Sequence, residues 1–396
     1  MTAYLNALGL TCALGRGQAE VARALFAGAS PGMRPQPGWV PERNPPVGAV
    51  PGDLPEIPEH LANHRSRNNQ LLLDAALQIE PQLQAAIQRH GADRVAVVLG
   101  TSTSGIDEAS GHIAAYLRDG QFPPDYRYGQ QELNAPADFL VQWLQLSGPA
   151  YVISTACTSS ARALMSARRL LDLGLCDAVI CGGVDSLCKL TLNGFSALEA
   201  VAQERCNPFS RNRQGINIGE AAVLFLMTRE NLGEQARPLA LLGAGASSDA
   251  HHISAPEPSG RGAIDAMNKA LRQAGLQAHQ VNYLNLHGTA TQHNDAMESL
   301  AVAQVFPAGL PCSSTKPLSG HTLGAAGALE AAFCCLSLAE NAVPPHVWDG
   351  EADASLPTLD WVVPGQPLAA TGSRHLMSNS FAFGGNNVSL IIGDAP

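Results

Sequence analysis

Apolar residues gather in short unbroken runs along the first half of the chain, at Arg94–Gly100, Ala150–Thr155, Asp177–Gly183 and Ala221–Met227. The runs are continuous rather than alternating, and rich in Val and Ile, which is the pattern of strands buried on both faces. Between the second and third, Leu164, Ala167, Leu170 and Leu171 recur along one helical face, and Gly174 stands where a helix would close. A strand followed by a covering helix is α/β construction.

The second half repeats the order. Val281–Thr289 answers the first run, Leu310–Thr315 the second, His375–Gly385 the third and Asn387–Gly393 the fourth. In both halves the second run passes through a Ser/Thr-rich turn into an Ala-rich helix, and the third ends in a Gly-Gly pair. The shared order predicts an internal duplication. Its boundary is expected near Ala236, giving halves 1–236 and 237–396. Only the stretch from Pro31 to Pro58 is proline-rich enough to be an irregular excursion.

At 396 residues, with 45% hydrophobic and 15% charged, the chain is long enough for a large core and too long for one minimal domain. The beginning of the sequence lacks a basic segment ahead of a long apolar one, and no eighteen-residue uninterrupted apolar run appears, so a cytoplasmic protein without a membrane span is expected. Nine cysteines, two of them adjacent at Cys334 and Cys335, read as reduced thiols rather than a disulfide framework. With no CxxC pair, a structural zinc site is not expected. A net charge of −10 argues against nucleic-acid binding, which needs a basic face. Local basic clusters at Arg65 and Arg67, at Arg127, and at Arg211 and Arg213 read either as solvated arginines or as a patch for an acidic partner.

Cys157 follows the second run and is expected to begin a helix, whose free N–H groups and dipole would favour thiolate and could hold an oxyanion. Taken alone, a cysteine in this setting is more often a small core residue than a nucleophile. Two further segments bear on it. His287 stands just past the end of a buried run, followed by Thr289 and Thr291; Lys316 and His321 stand in a polar turn before a small-residue helix holding Glu330. Strand ends on one edge of an α/β sheet converge, so Cys157, His287 and His321 are expected to meet in one crevice.

At these residues the sequence resembles the β-ketoacyl-acyl carrier protein synthases, condensing enzymes of the thiolase-like superfamily. STACTSS is similar to the nucleophile motif, HGTAT to the first histidine motif, STKPLSGHTLGAAGALE to the lysine and second histidine motif, and CNPFSRNRQGINIGEAA, DAHHISAP and NSFAFGGNN match in order. The resemblance runs from about Val95 to the C-terminus. It implies a thiolase-like fold, two duplicated α/β halves in αβαβα layers, and a dimer, either of identical subunits or with a related one.

The implied chemistry is decarboxylative condensation. Cys157 would take an acyl chain from the phosphopantetheine of an acyl carrier protein, with no cofactor bound by the chain itself. His287 and His321 would stabilise the enolate from a malonyl carrier, and the amides of Cys157 and Phe383 would form the oxyanion hole, with Phe383 also gating the acyl pocket. Lys316, counted with the catalytic residues, and Glu330 would order the second-histidine region, Asp295 would be a further supporting residue, Thr289 and Thr291 would bind the pantetheine arm, and Phe209 and Ser254 would line the entrance. Arg65, Arg67, Arg127 and Arg211 would dock the acidic carrier. Ala290, Gln292–Asn294, Ala382 and Asn386 depart from the usual motifs, which is compatible with a specialised synthase making polyenes or other secondary products.

Other readings fit less well. A thiolase needs a second cysteine close to the C-terminus, whereas the last here is Cys335, in a predicted helix. A chain-length factor characteristically lacks the nucleophile. A cysteine hydrolase leaves His321 and the NSFAFGG segment unexplained, and a binding protein explains none of the ordered motifs.

Overall fold

The structure, a computed structural model, describes residues 2–233, 237–370 and 372–396. The expected boundary residue Ala236 lies outside the described residues. The first half contributes β1 (Ala3–Cys12), β2 (Val95–Gly100), β3 (Ala150–Ile153), β4 (Ala178–Asp185) and β5 (Ala221–Thr228). The second contributes β6 (Leu239–Ser248), β7 (Tyr283–Asn285), β8 (Pro311–Ser313), β9 (His375–Phe381) and β10 (Asn386–Asp394). They lie in one sheet in the order β3-β2-β4-β5-β1-β6-β10-β9-β7-β8, with the short Asp360–Trp361 strand beyond β8.

Each strand of the second half takes the mirror place of the strand five before it, about the seam between β1 and β6. The parallel pairs β2–β3 and β2–β4 recur as β7–β8 and β7–β9. The antiparallel pairs β4–β5 and β5–β1 recur as β9–β10 and β10–β6. The repeat read from the order of apolar runs is therefore also a repeat of sheet topology.

Strands β1 and β6 had no counterpart among the predicted runs. In β1 the register shifts between Leu5 and Ala7, where the polar Asn6 bonds Thr228 Oγ1 at 2.7 Å, so the apolar run is broken by a bulge. In β6, Leu239–Ser248, small Ala and Gly residues replace the β-branched ones that signal a strand. A second difference concerns β3, expected to be buried on both faces. All four of its residues are only half-buried, because β3 is the outermost strand at its end of the sheet.

Side-chain alternation along the central strands builds the layers. Val95, Val97 and Leu99 of β2 face a core shared with helices α1 (Arg67–Leu77) and α2 (Ala135–Leu144). Ala96 and Val98 face the opposite core, shared with α3 (Ser159–Asp172) and the inner faces of β9 and β10. On the far side, Leu284, Met377 and Ile391 pack against α4 (Arg261–Ala274) and α5 (Gln292–Val305). The middle layer pairs α3 with α6 (Ala326–Glu340). A Cβ on Gly327 would lie 2.7 Å from Ala161 Cβ, so this close crossing of α6 over α3 depends on glycine. The result is the αβαβα stack.

The segment Leu323–Glu340 is long and apolar enough to cross a membrane, but 89% of it is buried inside the stack, as a core helix would be. All nine cysteines are free and buried.

Candidate active site

The strand ends bring the expected residues together. Cys157 follows β3, His287 follows β7, and Lys316 and His321 follow β8; His321 Nε2 lies 3.0 Å from Cys157 Sγ. The two imidazoles meet edge to face with centroids 5.3 Å apart. All three side chains are buried at the base of a cavity of about 550 Å³ whose walls include Thr289, Thr291, Ser254, Phe195 and Phe383. Thr289 and Thr291 hydroxyls bond each other at 2.9 Å, ready to exchange that bond for one to a ligand amide.

Cys157 does not begin the helix. It sits in a tight turn two residues ahead of α3, after Ala156 at φ 52, a left-handed conformation costly for a residue with a side chain. The backbone N–H of Cys157 itself and that of Phe383, in the segment after β9, both favour thiolate, and Lys316 adds a larger effect in the same direction. Burial outweighs all of them and pushes the thiol up to about 11. The expectation of a lowered thiol is thereby reversed: burial favours the neutral SH group.

Lys316, expected with the catalytic residues and as ordering the second-histidine region, is almost wholly buried, and the histidine its ammonium reaches is the first, His287. Its Nζ bonds Glu330 Oε1 at 2.5 Å and His287 Nδ1 at 3.4 Å. Burial pushes the Glu330 carboxyl up, with Lys316 opposing. Burial first, then Lys316, holds both His287 and His321 well below the ordinary histidine value, so both are neutral.

Their tautomers follow from their partners. His321 Nδ1 accepts the Leu323 N–H at 3.3 Å and His287 Nδ1 accepts from Lys316, which leaves each ring proton on Nε2. The donor atoms of Cys157, His287 and His321 all lie within 4.8 Å of one another, a spacing a metal ion could use. A ligating imidazole instead needs a bare Nε2 and a donating Nδ1, usually to a carboxylate or carbonyl. These rings are set to donate hydrogen bonds to an oxygen.

Several supports were not foreseen. Glu298 accepts the backbone N–H groups of His287 at 2.8 Å and Gly288 at 2.7 Å, fixing the turn that carries the first histidine. Its carboxyl is pushed up to about 7 by burial. The sequence hint was an acid on the buried face of α5, one turn beyond Asp295. Asp295 accepts the backbone N–H of Ala290 at 3.2 Å and of Phe209 at 2.7 Å.

Two expected roles need correction. Phe209 does not line the entrance; it is buried in an aromatic box, 5.1 Å from Trp361 and 6.1 Å from His346 by ring centroids. Its backbone is left-handed and its N–H is held by Asp295, which turns the ring inward. Arg67 is not a free docking cation, because its guanidinium grips the fully buried Glu220 through Nε at 2.7 Å and Nη2 at 2.5 Å. Arg65 and Arg127 share a surface cleft with Arg67, whereas Arg211 lies outside it, paired with Glu351 at 2.6 Å. Arg65 pairs with Glu59, and Arg127 bonds Asn63 Oδ1 at 3.0 Å.

A buried thiol, two neutral imidazole donors and two backbone N–H groups at the base of a narrow cavity can hold an acyl thioester and stabilise an enolate. Comparison with known proteins gives the same reading. Residues 48–232 match the N-terminal domain and residues 240–348 the C-terminal domain of β-ketoacyl synthases. The chain is 32% identical over 357 residues to nodulation protein E of Rhizobium meliloti, covering 87% of each. It is 33% identical over 322 residues to 3-oxoacyl-[acyl-carrier-protein] synthase 2 of Synechocystis, covering 77% of this chain and 76% of that one. A ketosynthase from Xenorhabdus doucetiae, solved in complex with its chain length factor, superposes with a TM-score of 0.94 at 48% identity, covering 100% of this chain and 98% of that one. With both family domains matched along the chain and a relative 32% identical over 87% of it, on a thiolase-like fold, the chain belongs to the β-ketoacyl synthase family, the acyltransferases that condense thioesters.

Proposed function

We propose that this protein elongates an acyl chain carried on Cys157 with a malonyl unit from an acyl carrier protein, as the catalytic subunit of a pair with a chain-length factor. The observation that carries the chemistry is the His321 Nε2 to Cys157 Sγ approach of 3.0 Å, beside a second neutral donor, His287. In the first half-reaction the Cys157 sulfur bonds the acyl carbon, the carbon–sulfur bond to the carrier's phosphopantetheine breaks, and the thiol proton ends on the departing sulfur. In the second, malonyl carrier loses carbon dioxide. The enolate oxygen accepts from His287 and His321, and its carbon attacks the acyl thioester. The oxyanion that forms is held by the N–H groups of Cys157 and Phe383. The Cys157 sulfur leaves and regains a proton from solvent.

Thr289, Thr291 and Ser254, which line the cavity, take the pantetheine arm, and Phe383 gates the acyl pocket; Phe195 leans on Phe383 with ring centroids 5.6 Å apart. Arg65 and Arg127, at the rim of one cleft, are the docking cations for an acidic carrier. The halves 1–236 and 237–396 then carry the nucleophile and the histidines respectively. Pairing with a chain-length factor is favoured by the full-length likeness to a ketosynthase solved with one. It is also favoured by β3, an edge strand whose half-exposed Ala, Tyr, Val and Ile leave the sheet open to a partner.

Intact mass spectrometry after incubation with a set of acyl carriers, with and without a chain-length factor, tests the proposal. One acyl group on the wild type and none on Cys157→Ala is expected. Loading of the alanine variant, or no loading of the wild type from any carrier, would refute it.

A further inference from the structure

Asp185, the last residue of β4, is completely buried and touches neither Cys157 nor a histidine, yet it is the most heavily bonded carboxylate behind the site. Oδ1 accepts four bonds from the segment leaving β2: Thr101 Oγ1 at 2.6 Å, Ser102 N at 2.7 Å, and Thr103 N and Oγ1 at 2.8 Å. Oδ2 accepts one, from Gly324 N at 2.5 Å, in the other half of the molecule. Gly324 follows Leu323, which is held left-handed at φ 51 and whose N–H is the donor to His321 Nδ1. A continuous chain of contacts therefore runs from Asp185 through Gly324 and Leu323 to the imidazole, and ends at the Nε2 that faces Cys157 Sγ. A Cβ on Gly324 would stand 2.8 Å from Asp185 Oδ2 and 2.8 Å from Ser102 Oγ, so the contact tolerates no side chain.

We infer that Asp185 is a positioning residue for His321: by anchoring Gly324 it holds the Leu323 N–H against Nδ1 and so keeps the His321 proton on Nε2. The direction of the bonds supports this role over simple stabilisation. All five bonds to the carboxylate come from donors, and four of the five act on one oxygen, leaving the second for the turn beside His321 alone. The inference extends the proposed chemistry, but its principal readout needs no carrier.

Asp185→Asn separates the two oxygens. The amide oxygen can keep the four donors of Thr101–Thr103, while its NH₂ faces the Gly324 N–H, donor against donor, and the link to the turn is lost. The control is Thr103→Val, which removes one donor, the Thr103 hydroxyl, from Oδ1 and leaves the Gly324 link intact. Cys157 alkylation by iodoacetamide is measured against pH, and His321 is followed by ¹⁵N chemical shifts in histidine-labelled protein. In Asp185→Asn the ring nitrogens should move toward a mixed tautomer and alkylation near neutral pH should fall roughly tenfold, the effect of losing a hydrogen bond to a forming thiolate. Thr103→Val should lower the melting temperature without either change. Gly324→Ala attacks the same link from the other end and should reproduce the Asp185→Asn result, which keeps the test decisive if one variant does not fold. An unchanged tautomer and alkylation profile in Asp185→Asn or Gly324→Ala, or the same shift in Thr103→Val, overturns the assignment. A normal shift with no acyl loading from any carrier would leave the inference standing and count instead against the proposed function.

Discussion

Lys316→Met is the substitution with the most to separate, because Lys316 both balances a buried charge and touches the His287 imidazole. The ammonium and the Glu330 carboxylate are 2% and 4% exposed, and Lys316 gives Glu330 Oε1 its bond at 2.5 Å, while Glu330 Oε2 has no partner. Removing the lysine strips Glu330 of its counter-ion inside the core. Breaking a buried pair in this way costs about 3–5 kcal/mol, out of a total stability of about 5–15 kcal/mol for a typical domain. Replacing both partners with apolar groups of similar volume leaves no charge behind, so Lys316→Met with Glu330→Met should return to within about 1 kcal/mol of the wild type. Malonyl decarboxylation should not return with it, since His287 Nδ1 still lacks the donor that lay 3.4 Å away. Urea unfolding at pH 7.5 gives the first comparison, and carbon dioxide release from malonyl carrier the second. A loss under 1 kcal/mol in the single variant would mean the pair is not a balanced buried charge. Wild-type decarboxylation in the double variant would remove the Lys316–His287 contact from the mechanism.

Four further outcomes are expected. His287→Ala and His321→Ala should each lower malonyl decarboxylation by about 10²–10³ while still permitting acyl loading of Cys157, and a normal decarboxylation rate in either excludes that imidazole as a donor. With both histidines held well below their ordinary value, decarboxylation should be flat from pH 8 to 6, whereas acylation, which draws on a thiol pushed up to about 11, should rise about tenfold per pH unit; an acylation plateau near neutrality would show the thiolate already formed. His346, held at about 3 by burial, binds its proton first in the unfolded chain, so its contribution to stability is full above pH 6.5 and is lost as pH falls toward 3, amounting to about 2 kcal/mol by pH 5; His346→Gln should flatten urea-measured stability between pH 7 and 5 by that amount, and an unaltered slope would contradict the neutral buried ring. Arg65→Glu or Arg127→Glu should weaken carrier binding most at low salt, and equal affinities in a titration at two ionic strengths would leave both as solvated surface groups.

The grouping of side chains at the base of the cavity was legible because it lies at strand ends, where apolar runs stop and unusual residues stand out: Cys157 after Ala150–Thr155, and His287 at the polar end of Val281–Thr289. The duplication was legible for a related reason, since strands buried on both faces write continuous runs. What stayed hidden depends on contacts distant in sequence. Nothing near Arg67 announces Glu220, 153 positions later, and nothing near Asp185 announces Gly324, 139 positions later. Phe209 was misplaced because a motif fixes an aromatic residue's position along the chain but not its direction, which here is set by a left-handed backbone. The Cys157 thiol was misjudged because helix and amide effects can be read from local order, while the burial that outweighs them comes from the whole fold.

The paired tautomers of His287 and His321 bear on how the cavity can be blocked. Two ring N–H groups and the two backbone N–H groups around the sulfur make its floor a field of donors, with Cys157 Sγ the soft acceptor among them. A carbonyl, carboxylate or sulfonyl oxygen entering from the Thr289 side finds partners at once, whereas an amine or hydroxyl that must donate meets donors head-on. Ligand selection against this protein should therefore favour acceptor-rich warheads, and a screen enriched in donors should return compounds that stop higher, at the threonine pair.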